Sequence, residues 1–270
     1  MITREPEYRP PPANRIGALG RAVVTMCRET GRGAILLGLA VLALRHVFAR
    51  RQRREVANQM FITGIKSLGV ITVVAVFTGM ILALQTGIEL RRFNQEVNIG
   101  TAVMVSMLRE MGPFMTGLIM AACVGSAMAA QIGTMTVSDE IAALEMMTID
   151  PVRFVVMPRL AAMAVMMPLL TFYTCILGVA GGGLVGYTQL GVAWNAYIEN
   201  ATRYAEIKDL YVGLLKAFLF GAAITTIACH EGFAATQGAV GVGMATRKTV
   251  IISFLIILML GYFVTRLFYY

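Results

Sequence analysis

The feature that most limits how this chain can fold is a series of five apolar stretches beyond Lys66, each long enough to cross a bilayer. They cover residues 68–88, 99–132, 154–190, 210–229 and 250–268. The intervals between them are too short for a separate soluble domain, so whatever this chain does is done in or against a membrane. Composition agrees: 57% hydrophobic and 14% charged residues do not describe a soluble globule. The sequence therefore predicts an all-α membrane protein, because lipid leaves only helices and closed barrels able to satisfy a spanning backbone.

A net charge of +8 would suit nucleic acid, but 12 of the 23 Lys and Arg precede Ser67, ahead of the first long apolar run. That asymmetry orients a membrane protein and speaks against a nucleic-acid partner. With the amino terminus inside, sixteen basic residues lie on the inner side and five on the outer, with Arg109 and Lys216 left within the membrane. The expectation is an inner-membrane, multi-pass chain with a cytoplasmic amino terminus and a periplasmic carboxyl terminus.

Residues 1–63 read as a separate amino-terminal region. Arg4, Arg9, Arg15, Arg21 and Arg28 with Pro10, Pro11 and Pro12 leave no apolar core for a removable signal peptide. Within 33–49, only about eleven apolar residues precede Arg45, well short of the ~20 needed to span. Residues 16–59 are expected to form one or two amphipathic helices along the inner membrane face, the arginines level with anionic headgroups. A short first spanning helix is the alternative. The spanning domain then occupies residues 64–270.

Small residues recur every fourth position in three stretches: Gly79, Ala83, Gly87; Gly117, Ala121, Gly125, Ala129, Gly133; and Gly178, Gly182, Gly186. Such faces let helix backbones approach closely, either inside one subunit or across a dimer seam. The intramembrane charges stand out because each costs at least ~2.5–3.5 kcal/mol at mid-membrane. Arg109 and Glu110 are adjacent and point in different directions on a helix, so each needs its own partner. Lys216 is the candidate for Glu110, and the three could line a wet cavity that receives a charged headgroup or form an internal register device.

The interval after the second stretch differs in kind. Ser138 is expected to cap a short helix over residues 138–147, with Asp139 and Glu140 in its first turn. Ile141, Leu144 and Met147 share a face, Glu145 lies among them, and Asp150-Pro151 is expected to end the helix. A short amphipathic helix of this kind is a docking peg for a soluble partner.

The run from Arg109 through this segment, REMGPFMTGLIMAACVGSAMAAQIGTMTVSDEIAALEMMTIDPVRFVVMPRLAA, closely resembles the signature block of the MlaE/YrbE permease family. That family comprises the membrane subunits of ABC transporters that move lipids with MCE-domain partners, and the resemblance extends from about Gly64 to the end. It implies an amino-terminal interfacial helix, five transmembrane helices, and a cytoplasmic coupling helix seated on a separate ABC ATPase. It also implies a second copy of the chain, with a lipid cavity between the copies opening toward an MCE-domain protein. A STAS-domain regulator is a further candidate partner. ATP and magnesium would bind the ATPase subunit, leaving no cofactor in this chain. Carried over by position, the cavity charges fall on Arg109, Glu110 and Lys216, and the coupling helix on Ser138 to Met147. Four positions depart from the family's pattern: Cys123 for an Arg, Gln131 for a Glu, Thr148 for a Gly and Gly261 for an Asp. The first two read as joint loss of one charge pair.

The rival reading is a polytopic membrane enzyme acting on lipids. His230-Glu231 suggests zinc, but position 234 is Ala and the His-Glu-x-x-His spacing fails. There is no Gly-x-Ser-x-Gly, and His46 is the only other histidine. No phosphate-binding Walker motif is present, so energy must come from another chain. A self-contained secondary transporter would normally show an internal repeat, and none is visible.

Overall fold

A computed structural model describes residues 15–43 and 50–270. The expectations resting on residues 1–14 and 44–49, Arg4, Arg9, Pro10 to Pro12 and Arg45 among them, lie outside the described residues. Every regular element in the described part is helical. Among the described residues, five helical segments are long and apolar enough to cross a membrane: Gln52–Arg91, Glu96–Val137, Val152–Gln189, Ile207–Phe233 and Gly238–Tyr269.

The basic amino-terminal region forms two helices, α1 (Arg15–Ala43) and α2 (Arg50–Gly64). The apolar part of α1, Gly31–Ala43, is too short to span. Leu36 and Ala40 are buried against Val152, Val155 and Leu160 at the start of the third span. The first span departs from the expected boundary at residue 63. A single 3-10 turn, Ile65–Ser67, joins α2 to α3 (Leu68–Arg91), so one helical rod runs through.

The second span is α4 (Ile99–Ser106), α5 (Gly112–Met120) and α6 (Ser126–Val137), joined by π turns at Met107–Met111 and Ala121–Gly125. After it comes α7 (Glu140–Met146), then a π turn at Val152–Val156 leading into α8 (Met157–Gln189). Next come α9 (Trp194–Arg203), α10 (Ile207–Phe233) and α11 (Gly238–Tyr269). The last span starts twelve residues before the expected position, taking in Arg247 and Lys248. Its 32 residues extend about 48 Å against about 30 Å of hydrocarbon, so its ends reach past the apolar slab.

Glycine stripes set the packing. A Cβ on Gly79 would lie 1.7 Å from the Gly178 carbonyl oxygen, so α3 and α8 meet backbone to backbone. Along the second span, Gly117 and Gly125 face Phe220, Ile224 and Ile257 of the same subunit, so this stripe is internal packing. Met120, Ala121 and Ala129 complete a buried core there with Met163, Met167 and Ala228.

The amphipathic helix α9 was not anticipated. It seats fully buried Tyr197 between α4 and α8, where its hydroxyl donates to the Val179 carbonyl at 3.0 Å. Burial pushes the phenol's pKa above its ordinary value.

Candidate functional site: an ion network at the helix ends opposite α7

The site begins with a missing donor. Pro113 has no N–H, so the carbonyl of Arg109, four residues earlier, loses its helical partner. The backbone answers with the π turn Met107–Met111, in which the Gly112 N–H reaches the Met107 carbonyl. The orphaned Arg109 carbonyl accepts from the Lys216 ammonium at 2.7 Å. Lys216 comes close enough because α10 carries Gly213 at the crossing. A Cβ there would lie 2.3 Å from the Leu108 carbonyl oxygen.

The other two donors of Lys216 go to Glu110 Oε1 and to Thr265 Oγ1 on α11, each at 2.7 Å. The Thr265 hydroxyl also lies 2.6 Å from Glu110 Oε1. With its side chain only 1% exposed, Lys216 does not snorkel to an interface, and all three of its protons are engaged. Arg109 pairs instead with Asp209, Nε to Oδ1 at 2.7 Å, and the same carboxylate oxygen accepts from Tyr269 at 2.5 Å. The guanidinium lies over the Tyr269 ring at 4.6 Å from its centroid, a cation–π contact that Lys208 repeats at 5.0 Å.

The network thus has two tiers. Asp209, Arg109 and Tyr269 form one at the very ends of α10 and α11; Lys216, Glu110 and Thr265 form another about two turns deeper. Arg109 and Glu110 therefore have separate partners, as their helical spacing requires, but the upper tier lies at a helix end rather than at mid-membrane. The exposures separate roles: Lys216 and Asp209 are closed off, whereas Arg109 and Glu110 keep 36% and 43% of their side chains open. A ligand can meet only the latter two. Asp209, Thr265 and Tyr269 escaped sequence reading, although Asp209 stands seven residues before Lys216, two turns along the same helix face.

At the opposite end, the segment around α7 corrects several expectations. Ser138 does not cap it. Its hydroxyl donates back to the Thr134 carbonyl at 2.9 Å and it closes α6. The residue before α7 is Asp139, in the left-handed region at φ 58°, without a side-chain capping bond. Asp150-Pro151 does not end α7 either. Thr148 does, at φ 62°, with Thr148 N–H to Glu145 carbonyl and Ile149 N–H to Leu144 carbonyl both at 2.9 Å. This is a Schellman ending with Thr where glycine is favoured. Asp150 instead accepts from Val152 N–H at 3.0 Å and, with Pro151, opens the third span. Ile141 and Leu144 turn inward, packing on the cluster around Leu36 and Val155. The side presented outward holds Met146, Met147, Glu140 and Glu145, with Met146 83% exposed.

Two departures from the family's pattern also change meaning. Gln131 does not answer to exposed Cys123. Its Oε1 accepts from Arg159 of α8 at 3.2 Å, leaving buried Arg159 with a neutral partner. Gly261 stands one turn below Thr265, with room for a Cβ 3.7 Å from the Phe220 ring.

Comparison with known proteins adds identity to this geometry. A family model described as Permease MlaE matches residues 56–267. A probable ABC transporter permease of Rickettsia prowazekii is 39% identical over 214 residues, covering 79% of this chain and 83% of its own length. The intermembrane phospholipid transport system permease protein MlaE of Haemophilus influenzae is 34% identical over 257 residues, 94% and 97% of the two chains. The chloroplastic protein TRIGALACTOSYLDIACYLGLYCEROL 1 of Arabidopsis thaliana is 32% identical over 212 residues, 78% of this chain and 61% of that one.

Proposed function

Because this chain belongs to the MlaE permease family, we propose that it is the membrane subunit of an ABC transporter that moves phospholipids, energised by a separate ATPase. The observation that carries the reading is the half-open Arg109–Glu110 pair. It is held from behind by two fully buried charges, whose desolvation makes the arrangement a costly way to gain stability alone. The guanidinium uses only Nε on Asp209, leaving its outer fork for a phosphate. Lys216 acts through Glu110 and the Arg109 carbonyl. On this reading an MCE-domain protein docks at this end, a second copy packs beside it and the ATPase sits under α7, in an inner membrane with the α7 end cytoplasmic. A STAS-domain regulator belongs to the same proposal, and ATP and magnesium to the ATPase alone.

Exchanging the signs of Glu110 and Lys216 does not separate a headgroup site from a register device. A carboxylate at 216 would face the Arg109 carbonyl and fail in either case. The discriminating variant is Arg109→Gln with Asp209→Asn, which removes the open cation without stranding a buried charge. The complex should assemble while phospholipid co-purified in the cavity falls several-fold; undiminished lipid would remove Arg109 from the site. For the ATPase, Leu144→Asp would injure the permease core itself. Met146→Asp with Met147→Asp touches only the outward face, and co-purification of the ATPase should be lost with the permease intact. Retained co-purification would move the contact away from α7.

A further inference from the structure

A second lipid-shaped feature lies at the α7 end, away from the ion network. Between α1, α10 and α11 is a slot of about 290 Å³ lined by Gly33, Leu37, Ala223, Ile227, Ile252 and Ile256. Thr226 in its wall bonds its hydroxyl to the Ala222 carbonyl of its own helix at 2.7 Å, so it offers the slot mainly its methyl group. Polar atoms gather at one end, where His230 Nδ1 and Glu231 Oε1 are 3.7 Å apart and face each other. That end is close to the close of α10 at Phe233, on the α7 side. Gly33 has nothing within 4 Å of where a Cβ would stand, so α1 leaves the slot open at that point.

Toward the same end of the molecule, α11 carries a cation one turn before the slot. Lys248, Ile252 and Ile256 follow one another at four-residue intervals on α11, so they share a face and the slot's apolar wall continues toward an exposed ammonium. Exposed Arg247 adds to the positive field beside it. An aliphatic slot with a polar end at His230 and Glu231, and with exposed Arg247 and Lys248 one turn beyond it on α11, suits a phospholipid: hydrocarbon fills the slot and the phosphate meets the two cations outside it. We propose that the slot holds one acyl chain of a phospholipid from the leaflet on the α7 side, with its phosphate on Lys248. This site is independent of the Arg109–Glu110 reading.

The test uses the full chain in phosphatidylcholine nanodiscs with phosphatidylglycerol carrying a diazirine in one acyl chain. Illumination should label peptides containing Ala223 to Ile227 and Ile252 to Ile256, and unlabelled phosphatidylglycerol should compete. Ala223→Trp, which fills the slot, should abolish the labelling. Lys248→Glu, an exposed change that leaves the core alone, should reduce it about fivefold. Glu110→Gln should leave it unchanged, which separates this site from the transport cavity. Labelling spread evenly over all spans, or indifferent to Lys248→Glu, would overturn the proposal. So would slot residues that crosslink to a second copy or to residues 1–14 in place of lipid.

Discussion

Lys216 offers the sharpest quantitative test, because its role follows from a proline three residues beyond Glu110. Replacing Lys216 with Met removes a buried ammonium with three bonds at 2.7 Å and strands the Arg109 carbonyl, which Pro113 cannot serve. An unsatisfied buried acceptor costs about 1–3 kcal/mol. A fully buried ion pair broken on one side costs about 3–5 kcal/mol. Glu110 is 43% exposed and regains water, so its share is small and Lys216→Met should cost about 2–3 kcal/mol in all. Pro113→Ala restores an N–H where the Arg109 carbonyl needs one. In that background Lys216→Met should cost less by about 1 kcal/mol, beyond the ~0.5 kcal/mol expected of independent sites. Reversible unfolding in mixed micelles, followed by far-UV circular dichroism over the four proteins of the cycle, measures the coupling. Strict additivity would refute the argument that the proline and the lysine share one carbonyl.

Two further outcomes can be checked with the same assay. Thr148→Gly removes a β-branched residue from the left-handed position ending α7 and should stabilise the protein by about 1 kcal/mol, read as a higher unfolding midpoint. Tyr197 has its pKa raised by burial, so native protein keeps the phenol protonated above pH ~10 while unfolded chains ionise. Its contribution is complete below that pH and declines as pH rises, at up to about 1.4 kcal/mol per unit, until the native phenol also titrates. Tyr197→Phe should flatten this decline between pH 10 and 11.5; an unchanged slope would assign it to other groups.

Much of the fold was legible because hydropathy governs spanning segments directly. Five apolar runs became five spans, and the cost of burying Lys216 correctly pointed to Glu110 as its partner. Helix ends were less legible, since α2 runs into α3 through a turn at Ile65–Ser67 that carries no composition signal. The start of α11 hid behind Arg247 and Lys248, which a helix can carry outside hydrocarbon at no penalty. Asp209 was overlooked because it falls at the edge of its apolar run, where a charge attracts no notice. The α9 helix had a signal in the spacing of Trp194, Tyr197, Ile198 and Ala201, but it lies in the interval between two apolar stretches, which hydropathy leaves unassigned. The inward turn of Ile141 and Leu144 was not legible, because an apolar stripe does not say which neighbour will cover it.

The glycine contact between α3 and α8 also governs how force crosses the molecule. α8 has α7 just before its first turns and α9 just after its last, and it lies on α3 with carbonyls filling the space where side chains would be. Two backbones in contact cannot slide by swapping rotamers, so the pair must shift as one beam. Pro168 is the one place along α8 where the internal bonding is interrupted. With the ATPase docked at Met146 as proposed, a push there would reach the other face of the membrane as a tilt of this beam or as a bend at Pro168.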